Sequence, residues 1–209
     1  MYKLYYSPGA CSMAIHVALN ECNQPVTLEK INIQEPRPPE FLKINPRGQV
    51  PVLVDGDLVI REGAAILVYL LEKHKSPLLP SAGKERAVAF EWLMFCNATL
   101  HPSYARCFFL MRNAKDDAKE QLLGTGVAMI NKLWDEVEQR LGQSAWLAGD
   151  NITIADILMT VIANWNNYLP NPEAIKIGPR TKKLLQTVIA RPAYKKALEI
   201  EQVQYKAAA

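Results

Sequence analysis

Four cysteines stand in this sequence, at positions 11, 22, 96 and 107, and no two of them form a Cys-x-x-Cys pair. That spacing argues against a zinc site and against a two-cysteine redox motif, and it suits a reducing cytoplasm. Histidine is scarcer still, with three among 209 residues. No apolar run reaches the ~18 residues of a membrane-spanning helix, and after Lys3 the residues Tyr5, Tyr6, Ser7 and Pro8 interrupt any export signal. Neither membrane insertion nor export is expected. Charge of one sign is not massed: 24 Lys and Arg against 21 Asp and Glu leave +3, dispersed along the chain, so nothing calls for nucleic acid or an anionic membrane surface. What remains, 49% apolar and 22% charged, is an ordinary globular composition, long enough for one large domain or two small ones with real cores.

The first informative stretch is residues 2–12, where the aromatic run Tyr2-Lys3-Leu4-Tyr5-Tyr6 meets Ser7-Pro8-Gly9, a turn signal, and Cys11-Ser12 open a helical pattern carried by Met13, Ile15, Val17, Ala18 and Leu19. A thiol at a helix start faces unpaired N–H groups and the positive end of the helix dipole, which favour an anion. This predicts that Cys11 is partly thiolate or helps to hold another molecule's thiolate; the plainer alternative is a small buried cysteine. A strand follows over 26–33, then the stiff Pro36-Arg37-Pro38-Pro39, a short helical piece around 40–44, the turn Asn45-Pro46-Arg47-Gly48, a hairpin of 50–54 with 58–60, and a compact helix from Glu62-Gly63 to His74. Residues 1–77 thus read β-α-β-α-β-β-α.

Residues 78–83, with Pro80 and Gly83, read as a linker. Beyond it, residues 84–209 contain no convincing strand and show helical spacing over 84–112, 116–141, 153–167, 180–190 and 192–204, an all-α domain. Thr153-Ile154-Ala155-Asp156 has a capping-box layout, with Ile152 placed to staple onto Ile157, so Asp156 reads as structural. His16 and His74 have no chemical context here and read as incidental.

Several segments in order, Ser-Pro-Gly-Ala-Cys-Ser at 7–12, Asn-Pro-Arg-Gly-Gln-Val-Pro at 45–51, Glu62-Gly63, Glu91-Trp92-Leu93, Leu100-His101, the cap at 153–156 and Ala190-Arg191-Pro192, resemble the cytosolic glutathione transferases, most closely the bacterial Beta class. The resemblance spans nearly the whole chain. It implies a thioredoxin-like N-terminal domain, an all-α C-terminal domain, a homodimer, and glutathione as co-substrate with no metal. It assigns glutathione to Ala10, Cys11, Gln49, Val50, Pro51, Glu62, Gly63 and His101, with a cis bond before Pro51. Val50 then offers its backbone N–H and C=O to the cysteinyl part, Glu62 meets the γ-glutamyl ammonium, and the Gly63 N–H meets the neighbouring carboxylate. Cys11, Ser12 and His101 are the expected catalytic groups, and Tyr104, Phe108 and Trp165 the expected wall for a small hydrophobic electrophile. Three departures stand out. Gly63 replaces a frequent Ser, Met94 stands where some relatives have Asn, and Pro102 replaces a common Lys and should kink its helix.

The resemblance implies conjugation of glutathione to an electrophile, with a mixed disulfide between Cys11 and glutathione as a possible second activity. A thiol of pKa near 8.5 is only about 3% thiolate at pH 7, and making it about three-quarters thiolate requires about 2.7 kcal/mol. A helix terminus supplies about 0.3–1 kcal/mol, so hydrogen bonds from neighbouring groups are needed as well. Two alternatives stay open: a non-catalytic dimeric binding scaffold, which would fail to turn over glutathione, and a glutathione-dependent isomerase, against which counts the absence of a Ser-rich turn followed by Arg at 10–13.

Overall fold

A computed structural model describes residues 1–208. At its centre lies β1 (Tyr2–Tyr6), flanked by β2 (Val26–Lys30) in parallel and β3 (Val52–Asp55) in antiparallel pairing, with β4 (Leu58–Arg61) outside β3. The parallel pair needs a crossover, which α1 (Ser12–Glu21) provides. Alternation along β1 sends Tyr2, Leu4 and Tyr6 into the main core and Tyr5 to the opposite face, where it meets Phe41 of α2 (Pro39–Ile44) with Ile31 and Val52. With α3 (Gly63–Lys73), this is the expected thioredoxin-like domain with a four-stranded sheet.

The second part is helical: α4 (Gly83–Met94), a wide π-helical segment (Phe95–Leu100), α5 (His101–Asn113), α6 (Asp116–Arg140), α7 (Ile154–Ala163), α8 (Pro179–Ile189) and α9 (Pro192–Glu201). Every residue of α7 is buried. Its capping box forms as the sequence predicts: the Asp156 carboxylate accepts the Thr153 N–H at 2.8 Å and, with its other oxygen, the Leu147 N–H at 2.9 Å. α1 packs against α3 on one side and α7 and α9 on the other, which is why Ser12 to Leu19 are all buried. Among the described residues no helix is long and apolar enough to cross a membrane.

Boundaries move for local reasons. β2 stops at Lys30 because Arg37 gathers the next turn, its guanidinium donating to the carbonyls of Asn32, Ile33, Glu35 and Gly48. β3 begins after Pro51, which has no N–H to give a ladder. The predicted helix over 84–112 is divided by the π-helical segment directly before His101 and Pro102, where the proline ring crowds the carbonyl one turn back and cannot donate.

Candidate active site

Between β1 and α1 the chain turns through Ser7–Cys11, and distant residues hold that turn. Ser12 closes it locally: its buried hydroxyl donates to the Ser7 carbonyl and accepts the Ser7 N–H, both at 3.2 Å. Gly9 has φ +69°, and a Cβ there would come within 3.1 Å of the Tyr168 hydroxyl, so glycine is required. The Gly9 N–H donates to Glu201 Oε2 at 3.0 Å, and its carbonyl accepts from Trp165 Nε1 at 2.8 Å. Glu201 Oε1 in turn lies 2.9 Å from His16 Nδ1, with both side chains buried. His16 is therefore part of the clamp on the Ser7–Cys11 turn rather than incidental. His74 is also engaged, its Nε2 lying 2.8 Å from the Tyr2 hydroxyl. Neither partner is visible from the sequence, because 185 and 72 residues separate the pairs.

Cys11 sits at the N-terminus of α1, and its thiol donates weakly to the Val50 carbonyl at 3.9 Å. Burial pushes this thiol up to about 11; the N–H groups of Ser12 and of Cys11 itself pull the other way, and the Glu62 charge adds to the rise. Of the two expectations for Cys11, this direction favours the one in which it helps to hold another molecule's thiolate over its own ionisation, because desolvation of the sulfur opposes the field of the helix start. Nor does the Ser12 hydroxyl reach the sulfur, being committed to Ser7; only its backbone N–H faces that way. Burial lowers the His101 pKa and so favours the neutral imidazole, with the Glu62 charge opposing, and the ring lies edge-on to Trp165 with centroids 5.0 Å apart.

Two cavities meet at Cys11, Gln49, Val50 and His101. The smaller, of about 290 Å³, runs past the cis Val50-Pro51 bond to Glu62 and Gly63. The turn before it is tied by Asn45, whose side-chain amide donates to the Gln49 carbonyl at 2.8 Å. Glu62 has φ +96°, a conformation a non-glycine residue holds only where its surroundings impose it, and its exposed carboxylate pairs with Arg47 at 2.8 Å. Gly63 is the first residue of α3. Asn97, one turn before His101 on the π-helical segment, also lines this cavity, while Met94 is exposed. Asn97 and Arg47 escaped the sequence reading, although spacing from His101 points to the first and the Asn-Pro-Arg-Gly turn contains the second.

The larger cavity, of about 750 Å³, is walled by Phe108, Met111, Trp165 and Tyr168 and reaches Ala10. Phe108 and Trp165 stand there as the resemblance implies; Tyr104 does not. It is fully buried behind them, its ring centroid 6.5 Å from Phe108 and 6.1 Å from Trp165, with its hydroxyl donating to Asn166 and accepting from Trp134 Nε1. A phenol used at both lone pair and proton inside the core is structural. Met111 and Tyr168 were missed; Met111 lies one helical turn beyond Phe108 and was open to discovery by that spacing.

Residues 2–78 match the family model described as Glutathione S-transferase, N-terminal domain, and residues 95–192 that described as Glutathione S-transferase, C-terminal domain. The chain belongs to the glutathione S-transferase family. Among its relatives, Glutathione S-transferase GstA of Escherichia coli O157:H7 is 29% identical, over 95% of this chain and 98% of that protein. Glutathione S-transferase GST-4.5 of Xanthomonas campestris is 33% identical over 78% and 81%. In structure, a glutathione S-transferase from Xylella fastidiosa superposes with a TM-score of 0.88 at 27% identity, over 98% of this chain and all of that one. A glutathione transferase family member from Pseudomonas fluorescens, solved with two glutathione bound, has a TM-score of 0.82 at 26% identity, over 95% and 92%. Membership in the family makes this chain a glutathione transferase.

Proposed function

We propose that glutathione occupies the smaller cavity, that the neutral Cys11 thiol donates a hydrogen bond to the glutathione sulfur and holds it as a thiolate, and that this thiolate attacks a small apolar electrophile in the larger cavity. The observation that carries this reading is the placement of the Cys11 thiol, at the start of α1, where the two cavities join. A protonated S–H is a donor, and a donor stabilises a neighbouring anion. The Ser12 N–H at the helix start works in the same direction.

Val50 pairs its backbone N–H and C=O with the cysteinyl residue, flanked by Ala10, Gln49 and Pro51. Glu62 receives the γ-glutamyl ammonium and the Gly63 N–H its carboxylate, with Asn97 completing that end in place of the asparagine missing at 94. Neutral His101 lends an N–H beside the sulfur. The thiol proton of glutathione leaves to solvent, a C–S bond forms at the electrophilic carbon, and the leaving group departs with its electron pair. Phe108 and Trp165 hold the acceptor. The assembly is a homodimer in a reducing cytoplasm, to be checked by sedimentation and by cell fractionation.

Calorimetry with reduced glutathione, paired with a chromogenic conjugation assay on wild type and Cys11→Ala, tests this. Wild type should bind and turn over, and Cys11→Ala should bind while its rate at pH 6.5 falls more than its rate at pH 9. Absence of binding heat overturns the reading and leaves the scaffold.

A second reaction is favoured by one observation: no other cysteine lines either cavity. The Cys11 thiol loses its proton as its sulfur attacks the glutathionyl sulfur of a mixed disulfide between glutathione and another thiol. A Cys11–glutathione S–S bond replaces the old one and the other thiol leaves with the proton; a further reduced glutathione then resolves the adduct, restoring the Cys11 thiol and leaving as oxidised glutathione. One glutathionyl mass on Cys11 after exposure to oxidised glutathione is expected, and an adduct confined to another cysteine removes this step.

A further inference from the structure

The larger cavity combines an apolar wall with an unbalanced charge. Lys30, Arg37 and Arg112 line it, and among the described residues no Asp or Glu does. The three cations come from separate elements: the end of β2, the loop after it, and the last turn of α5. None of the three is in an ion pair with a carboxylate. Arg37 spends its guanidinium on the carbonyls of Asn32, Ile33, Glu35 and Gly48, which orients the charge without neutralising it. Arg112 folds back along its helix, Nε donating to the Phe108 carbonyl at 3.2 Å, so its charge stands beside the Phe108 and Met111 wall. Elsewhere some cations are paired, Lys73 with Asp55, Arg86 with Glu72 and Arg191 with Glu21, while Arg61 and Arg140, like Arg37, donate to carbonyls. What sets the cavity apart is three cations lining one space with no acid among its described lining residues. Glutathione seated at Val50 extends one carboxylate past its cysteinyl residue, and that charge answers at most one of the three.

Resting on the glutathione reading above, we propose that the acceptor favoured by this enzyme bears an acidic group, a carboxylate or sulfonate, on an aromatic or compact apolar body. The body lies against Phe108, Met111 and Trp165 with its electrophilic carbon toward Cys11. The acid points outward to Arg112 and Lys30. A neutral acceptor fills the same wall but leaves both cations without a partner, and a cationic one is repelled.

Kinetics with a matched pair of acceptors decide it, 4-chloro-3,5-dinitrobenzoate against its methyl ester, each rate divided by the uncatalysed rate with glutathione. In both reactions the glutathione sulfur displaces chloride from the ring; the ester activates the ring more strongly, and dividing by the uncatalysed rate removes that difference and leaves the remote charge, with one methyl group, to be read. The acid should be favoured by about five- to tenfold in normalised kcat/KM, the discrimination a charge-assisted contact supplies at a partly exposed site. The preference should shrink as salt is raised past ~0.15 M, where the screening length is about 8 Å. Arg112→Gln and Lys30→Gln should each cut the acid-to-ester ratio by about threefold or more. Equal or ester-favoured normalised rates in wild type overturn the proposal, as does a ratio that neither variant moves. If neither acceptor turns over and calorimetry finds no heat with glutathione, the glutathione reading itself fails and this one with it; heat with glutathione alongside ester preference sinks the acidic acceptor only.

Discussion

The two cavities that join at Cys11 are built by different means. The smaller is made of backbone groups and short-range turns: the cis peptide at Val50-Pro51, the helix start at Gly63, the loop tied by Asn45. Its residues come mostly from 45–63, close together in the chain. The larger is walled on one side by side chains of α5 and the 164–168 turn and floored by segments far apart in the first domain, residues 7–11, 30–37 and 48–50. Backbone donors recognise a fixed ligand with little freedom to drift, whereas a wall of side chains changes with single substitutions. A constant co-substrate and a variable acceptor match that division.

The largest effect expected concerns the junction itself. With the Cys11 thiol at about 11, only about one molecule in 10⁴ is thiolate at pH 7, so alkylation of Cys11 by iodoacetamide should quicken about tenfold per pH unit, near a thousandfold from pH 7 to 10. A plateau below pH 9 would show an ionised sulfur and break the assignment of Cys11 as a donor.

Removing the charge at the far end of the smaller cavity comes next. Glu62→Ala should raise KM for glutathione by about ten- to a hundredfold, the size of a lost charge-assisted contact, and change KM for the acceptor far less. Equal effects on both substrates would dissolve the distinction between the cavities.

Asp156→Ala is a control that touches neither cavity. It deletes a buried carboxylate holding Thr153 and Leu147, and should cost about 1–3 kcal/mol, read as a lower melting temperature with unchanged activity per folded molecule. Activity lost at an unchanged melting temperature would contradict its structural role.

The smallest effect belongs to Trp165→Phe, which keeps an aromatic against His101 and Phe108 but gives up the bond to the Gly9 carbonyl. About 1 kcal/mol should be lost, felt in both KM values because Gly9 sits in the turn both substrates share.

Much of this was legible in the chain. The order β-α-β-α-β-β-α, the helical remainder and the capping box at Thr153 follow from alternation, helical spacing and local turn chemistry, all of which act over a few residues. Cys11 could be singled out from its place between a turn and a helix start, Val50-Pro51 and Glu62 only through the family resemblance. Tyr104 and Phe108 share a helix face by spacing, yet one is core and the other cavity wall, since Trp134 and Asn166 come from elsewhere to take the Tyr104 hydroxyl.

Taken alone, then, the sequence determined which segments become strands and helices and which residues carry reactive groups, because those follow from side-chain type and near neighbours. Only the tertiary structure decided the state of those groups. Whether a sulfur is an anion depends on how much water is withdrawn from it, and whether a histidine is idle depends on a glutamate 185 residues away. Desolvation and long-range pairing arise when the two domains close around Cys11, and no local pattern encodes either.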